Sequence, residues 1–179
     1  MNRLYLLPIV VLWSAFACCA AEQEKETSFD SDKWNGTATD WKVEARLEKR
    51  EYQLGKEIPL HLTTRNITKT AKRLVSTYAF ADYALEIKNA AGVIVPFTDL
   101  VGKLRGPTQA YTLHSPRVEP GAEWKSTLDL TQYFQLNKPG DYIIFVRRYY
   151  SPKAMDSGGK GVPKEQSSEA TSVVFTLTP

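Results

Sequence analysis

Leu136-Asn137-Lys138-Pro139-Gly140-Asp141-Tyr142, running directly into Ile143-Ile144-Phe145-Val146, is the stretch of this 179-residue chain that decides its fold. Proline presets φ for a turn and glycine supplies the positive φ that closes it. A tyrosine two residues later can swing its hydroxyl back to a main-chain group upstream. Those three features predict the corner of a β-sandwich. The strand after the corner, Tyr142 to Val146, is apolar on both faces and is expected at the centre of its sheet. Thr131 to Leu136 predict a helical turn leading in.

Away from the corner, period-two alternation recurs. Trp41, Val43, Ala45 and Leu47 fall on one side of a strand and Lys42, Glu44, Arg46 and Glu48 on the other, the pattern of a sheet with one wet face. Tyr52-Gln53-Leu54-Gly55 predicts a turn. Ile58, Leu60 and Leu62 then point inward opposite Pro59, His61 and Thr63, and Asn66-Ile67-Thr68-Lys69 ends that strand. Tyr83, Leu85 and Ile87 make a third alternation. Asn89-Ala90-Ala91-Gly92 predicts a hairpin turn, after which Val93-Ile94-Val95 returns antiparallel. Trp124, Ser126, Leu128 and Leu130 form a one-sided strand after the Pro120-Gly121 turn, and Val173, Phe175 and Leu177 form a last strand able to pair with the central one. Short strands separated by turn signals, with no long helical period, predict an all-β chain: an antiparallel two-sheet β-sandwich of about seven strands.

The motif set Tyr52-Gln53-Leu54-Gly55-Lys56-Glu57-Ile58, Asn66, Glu86-Ile87-Lys88-Asn89-Ala90-Ala91-Gly92, Pro120-Gly121 and Pro139-Gly140-Asp141-Tyr142 resembles the immunoglobulin-like sandwiches of exported bacterial proteins. The likeness covers most of Trp41 to Pro179. More remotely, the chain is similar to the sandwich of the bacterial intracellular proteinase inhibitor family, which shares the opening of strand, glycine turn, strand and asparagine, and the Pro-Gly turns. It departs from that family by carrying an export signal, and no reactive-site segment matches residue by residue. These motifs are turn chemistry, which specifies architecture and leaves activity open.

The N-terminus predicts the compartment. Arg3 provides a positive start, Leu4 to Phe16 an apolar run, and Ala15, Ala17, Ala20 and Ala21 the small residues of a cleavage region. The run is shorter than the roughly 20 residues a membrane-spanning helix needs, so residues 1–21 read as a signal peptide and the protein as exported: periplasmic, at the cell surface or secreted. Both cysteines, Cys18 and Cys19, lie at the end of this segment. Two readings stay open. Cleavage after Ala20 or Ala21 leaves a domain without disulfides, whereas Ala15-Phe16-Ala17-Cys18 is an imperfect lipobox that makes Cys18 a lipidation candidate and the membrane reachable through a lipid anchor. Residues 22–40, polar and nearly free of apolar side chains, read as a flexible linker, and 41–179 as one domain.

The formal charge of +3 includes Arg3, so the mature chain is only slightly basic, and a nucleic-acid partner is not expected. Gly158-Gly159-Lys160-Gly161 lacks the flanking strand and helix of a phosphate loop and reads as a hairpin tip. Of the two histidines, His61 falls on an outward strand position near Arg65. His114 is adjacent to Ser115, where neighbouring side chains of an extended segment diverge and make no nucleophile and base pair. Carboxylates are scattered among basic residues as a mixed-charge surface. No nucleophile and base pair or carboxylate pair stands out, and neither a metal-ligand spacing nor a cofactor motif is present, so no enzyme activity, metal or cofactor is expected. Asn35-Gly36-Thr37 and Asn66-Ile67-Thr68 match the glycosylation acceptor pattern and read as turns.

Binding candidates fall in two clusters that combine arginine's forked donors with tyrosine's stacking faces, a pairing suited to anionic or glycan ligands. One is Arg147, Arg148, Tyr149 and Tyr150 at the end of the central strand. The other is Arg105, Tyr111, His114 and Arg117, with Lys103, in the longest irregular stretch. Three function classes follow: a non-catalytic interaction module of the cell envelope that binds an envelope protein or glycan, an inhibitor or accessory subunit of an exported enzyme such as a protease, and a small hydrolase. The first agrees best with fold, linker and residue inventory.

Overall fold

A computed structural model describes residues 38–104, 114–150, 168 and 171–179. The signal segment with Cys18, linker residues 22–37, the Asn35 motif, Arg105, Tyr111 and the Gly158 to Gly161 tip lie outside the described residues. The chain is all-β. Its strands are β1 (Trp41–Leu47), β2 (Glu51–Gln53), β3 (Pro59–Asn66), β4 (Lys72–Arg73), β5 (Tyr83–Asn89), β6 (Arg117–Val118), β7 (Glu123–Asp129), β8 (Gly140–Arg148) and β9 (Thr171–Thr178). Three short helices, α1 (Ala79–Asp82), α2 (Asp99–Leu104) and α3 (Leu130–Tyr133), join them. Among the described residues no helix is long and apolar enough to cross a membrane.

The strands form a three-stranded sheet in the order β1-β3-β7, a four-stranded sheet in the order β2-β9-β8-β5, and a small β4-β6 ribbon. The inward rows of the two larger sheets meet in one core. Leu60 and Leu62 of β3 and Leu128 of β7 pack with Leu85 and Ile87 of β5, Ile144 and Val146 of β8, and Phe175 and Leu177 of β9. Alternation is what makes this possible, since each strand delivers every second side chain to the same face. The central position expected for β8 follows from its pairing with both β5 and β9.

At the corner, Gly140 has φ +141° and the Tyr142 hydroxyl donates to the Lys138 carbonyl at 2.7 Å. The ring is buried against Phe175, centroids 5.5 Å apart, and burial raises the hydroxyl above its ordinary pKa. Tyr142→Phe keeps this packing and removes only the hydrogen bond. We expect it to cost about 1 kcal/mol, read as a lower urea midpoint with an unchanged slope; an unchanged midpoint would show that the bond adds nothing to the corner.

Several local readings shift. Leu130, read as the end of a strand, opens α3, which closes at Tyr133 rather than Leu136. Tyr52 lies in a strand rather than a turn: Glu51–Gln53 pairs parallel with β9, and the Tyr52 ring packs edge-on to Phe175 at 6.4 Å, so the turn is displaced to Leu54 and Gly55. After the Asn89 to Gly92 turn, the return is a single bridge between Lys88 and Ile94 plus Val95 N–H to Ile87 carbonyl at 2.8 Å. Pro96 carries no N–H with which to extend that ladder. Ala38–Asp40, assigned to the linker, form a 3-10 turn tied to the domain by the Asp40 carboxylate on Lys72 at 3.3 Å.

Asn66 is fully buried at the end of β3. Its amide nitrogen donates to the Thr70 and Val118 carbonyls at 2.9 Å each, and its oxygen accepts from the Thr68 amide at 2.9 Å and hydroxyl at 2.8 Å. The acceptor motif is therefore a turn that clamps β3 to β6.

Candidate functional site

The alternation of β8 sorts the first candidate cluster. Counting on from Tyr142, Ile144 and Val146, position 148 points into the core, while Asp141, Ile143, Phe145 and Arg147 point out. Arg148 is accordingly inaccessible to solvent. Its guanidinium donates from Nη2 to the Val75 carbonyl at 2.8 Å, meets the buried Asp82 carboxylate at 3.4 Å and lies 4.9 Å over the Tyr83 ring. Arg148 is a structural ion, unavailable to an external ligand. Tyr150 is also interior. Its ring stacks on Trp41, centroids 6.3 Å apart, in a second small core with Leu74 and Val118, and burial pushes its hydroxyl well above the usual tyrosine range despite the opposing pull of Arg148.

Arg147 and Tyr149 go elsewhere. Both line a groove of about 650 Å³ on the outer face of the four-stranded sheet. Its floor is β5 and β8, where Ala84 sits beside Arg147 and Glu86 beside Phe145. Its far wall is Ile94 to Phe97, with Phe134 behind. That wall is pinned: the Pro96 carbonyl accepts from Gln135 N–H at 2.9 Å, the Phe97 carbonyl from Gln135 Nε2 at 2.8 Å, and Thr98 donates its hydroxyl to the Gln132 carbonyl at 2.6 Å. Phe97 packs against Phe134 at 4.9 Å and edge-on to Phe80 at 6.0 Å.

The charges of the groove are unequally committed. Lys88 Nζ is 2.9 Å from Glu86 and 5.3 Å over the Phe145 ring. The exposed Arg147 guanidinium has no ion pair or hydrogen bond among the described residues. An aromatic, preformed cleft with one free forked donor can stack a flat or apolar group and hold an adjacent acceptor.

Of the second cluster only Lys103, His114 and Arg117 fall among the described residues, and no hydrogen bond or ion pair joins them there. His114 is exposed, its main chain bridged to Ser76, and Arg117 is exposed and paired with Glu119 at 2.9 Å. Lys103 is exposed at the end of α2. His61 bridges strands, with Glu48 and Thr127 each at 3.1 Å. The sequence reading missed Phe97, Phe134 and Phe145 as groove residues. For Phe145 the signal was there: an aromatic on the outward phase of β8, between Asp141 and Arg147.

No family model and no curated protein matches this chain. Among solved structures, a β-glucosidase from Listeria innocua, a D270A mutant in complex with laminaribiose, shares 12% identity at a TM-score of 0.39 over 78% of this chain and 16% of its own. Pseudomonas fluorescens alkylpurine DNA glycosylase AlkC, bound to DNA containing an abasic site analog, shares 14% identity at 0.38 over 78% of this chain and 31% of its own. The yjhA protein from Bacillus subtilis shares 11% identity at 0.34 over 78% of this chain and 92% of its own. The chain thus spans less than a fifth of the β-glucosidase, and similarity this low carries no functional reading.

Proposed function

We propose that this protein is a non-catalytic, exported binding module of the cell envelope, built on an immunoglobulin-like sandwich, that takes an envelope glycan or protein segment on the outer face of its four-stranded sheet. The observation that carries the reading is the groove beside Phe145, where a rigid aromatic cleft meets the uncommitted Arg147. Antiparallel sheets ordinarily turn a polar face to water; the antiparallel β5-β8-β9 part of this sheet turns Ile143, Phe145 and the exposed Val174 outward.

The immunoglobulin-like reading is supported by topology. The order β1-β3-β7 facing β5-β8-β9 supports an assignment to the A-B-E and C-F-G strands of that architecture, as does the Tyr142 corner where the connection from β7 enters β8. Ile144, buried two residues past the tyrosine, occupies the place of the second cysteine in antibody domains. Export follows from the N-terminal pattern alone, and mass spectrometry of the mature N-terminus tests it: Ala21 or Glu22 as first residue means plain cleavage, a lipidated Cys18 means an anchor.

The binding test compares the wild-type chain with Phe145→Ala plus Arg147→Ala on an envelope-glycan array and in pull-downs from envelope extract. Both side chains face solvent at a surface, so the double variant should keep its urea midpoint while its binding falls at least about tenfold, the scale of one central contact residue. Equal binding by wild type and variant would remove the groove as the site.

A further inference from the structure

We propose that the outer face of the four-stranded sheet is also the interface of a homodimer, two copies stacking face to face with their β8 strands antiparallel. The inference rests on the reading of that face as a binding surface and names a second copy of this chain as its occupant in the absence of ligand, the two competing for Phe145 and Arg147. Along β8 the outward residues run Asp141, Ile143, Phe145, Arg147: acid, apolar, apolar, base. Reversed end for end, this row complements itself. A two-fold axis lying in the interface, across the strands and level with Ile144, sets Asp141 of each copy opposite Arg147 of the other and Ile143 opposite Phe145. At about 3.4 Å per residue the charged ends are about 20 Å apart, with the apolar pair between them.

The neighbouring strands obey the same operation. On β5, Lys88 is level with Ile143 and Glu86 with Phe145, so Lys88 of each copy meets Glu86 of the other. On β9, Val174 is level with Ile143 and Ser172 with Phe145, so Val174, 62% exposed in the single chain, is covered across the axis. The charges also choose between symmetries. A two-fold axis running along the strands would set Asp141 on Asp141 and Arg147 on Arg147, and like charges in contact oppose association.

Shape agrees with the same arrangement. A second hollow of about 430 Å³, lined by Asp141, Ile143 and Val174 among others, lies at the opposite end of this face from the Arg147 groove, and the axis lays the Asp141 end of one copy over the groove of the other. Neither charged end is saturated within one chain. Asp141 accepts the Thr176 hydroxyl on Oδ1 at 2.6 Å and keeps Oδ2 uncommitted among the described residues, while the Arg147 guanidinium is wholly so. Sheets stacked in this way lie within about 30° of alignment, which offsets the charged ends by no more than about one strand spacing.

Sedimentation equilibrium of the full-length chain, in the form that matures in the cell, tests the proposal through charge exchange. Wild type is expected to show a reversible monomer to dimer equilibrium that weakens as salt is raised. Asp141→Arg alone and Arg147→Asp alone should each weaken self-association on the order of 100-fold, because each places like charges at both ends. An equimolar mixture of the two variants should dimerise with wild-type strength, since the mixed pair restores acid on base twice. Urea midpoints that match wild type at concentrations where all three proteins are monomeric identify the losses as interfacial. Wild type monomeric at its highest soluble concentration, single variants that dimerise unchanged, or a mixture that fails to recover would each overturn the dimer. A monomer that still loses glycan or extract binding with Phe145→Ala plus Arg147→Ala would overturn the dimer and leave the binding module standing.

Discussion

Asp82→Ala is expected to lower the unfolding free energy by about 3–5 kcal/mol, because it leaves a buried guanidinium without its counter-charge. Asp82 closes α1 and is 1% exposed. Its carboxylate accepts the Ser76 hydroxyl at 2.6 Å, the Thr77 amide at 2.7 Å, the Thr77 hydroxyl at 2.9 Å and Arg148 Nη2 at 3.4 Å. Without it, the Arg148 guanidinium keeps one hydrogen bond among the described residues, to the Val75 carbonyl, and the face of Tyr83, whose hydroxyl is itself bonded to Thr64 at 2.9 Å. Nε and Nη1 of Arg148 have no hydrogen-bond partner among the described residues even in the wild type, so little remains to absorb the loss. The pair is costly to break and far less costly to replace. Asp82→Ala combined with Arg148→Met removes the charge along with its partner, and the double variant should recover most of the stability lost by Asp82→Ala alone. Urea unfolding of wild type, both single variants and the double variant measures this as a coupling energy. A cost below about 1 kcal/mol for Asp82→Ala, the scale of an exposed pair, would show that water or a rearranged neighbour already stabilises Arg148.

The same residue marks the limit of what the sequence discloses. Alternation through Tyr142, Ile144 and Val146 is legible, and two more steps put Arg148 inside. Arginine is nevertheless read as a surface residue by default, because a lone buried charge is prohibitive. Only its partner makes the position tenable, and Asp82 stands 66 residues away, at the end of a four-residue helix with no sequence pattern of its own. The strands and the corner were legible because they depend on local chemistry: period two, Pro139, Gly140 and a tyrosine that reaches only four residues back. The groove was not, since its floor is outward β5 and β8 while its wall is Ile94 to Phe97 held by Gln135. The apolar outer face of β8 was visible, but it reads equally as a strand buried on both sides and as an uncovered binding face.

Phe80→Ala is expected to cost about 3–5 kcal/mol, the range for a fully buried phenylalanine cut back to its Cβ, and to loosen the groove wall as well. The ring is 1% exposed, stacks on Tyr133 of α3 at 4.4 Å and 6°, and supports Phe97 edge-on at 6.0 Å. A helix of four residues does not persist on its own propensity, and Tyr78 gives α1 no side-chain cap. Packing by Phe80 therefore holds α1 in place, and α1 carries Asp82. Two consequences separate this role from simple core filling. Phe80→Ala and Asp82→Ala should be less than additive, because loss of either frees the same short helix. Phe80→Leu, which retains much of the volume, should restore most of the stability but not the edge contact that orients Phe97, so glycan or extract binding should remain weaker than wild type at an equal folded fraction. Full additivity in the double-mutant cycle would mean that α1 is held by its neighbours independently of Phe80, and wild-type binding by Phe80→Leu would place the groove wall under the control of Phe134 and Gln135 alone.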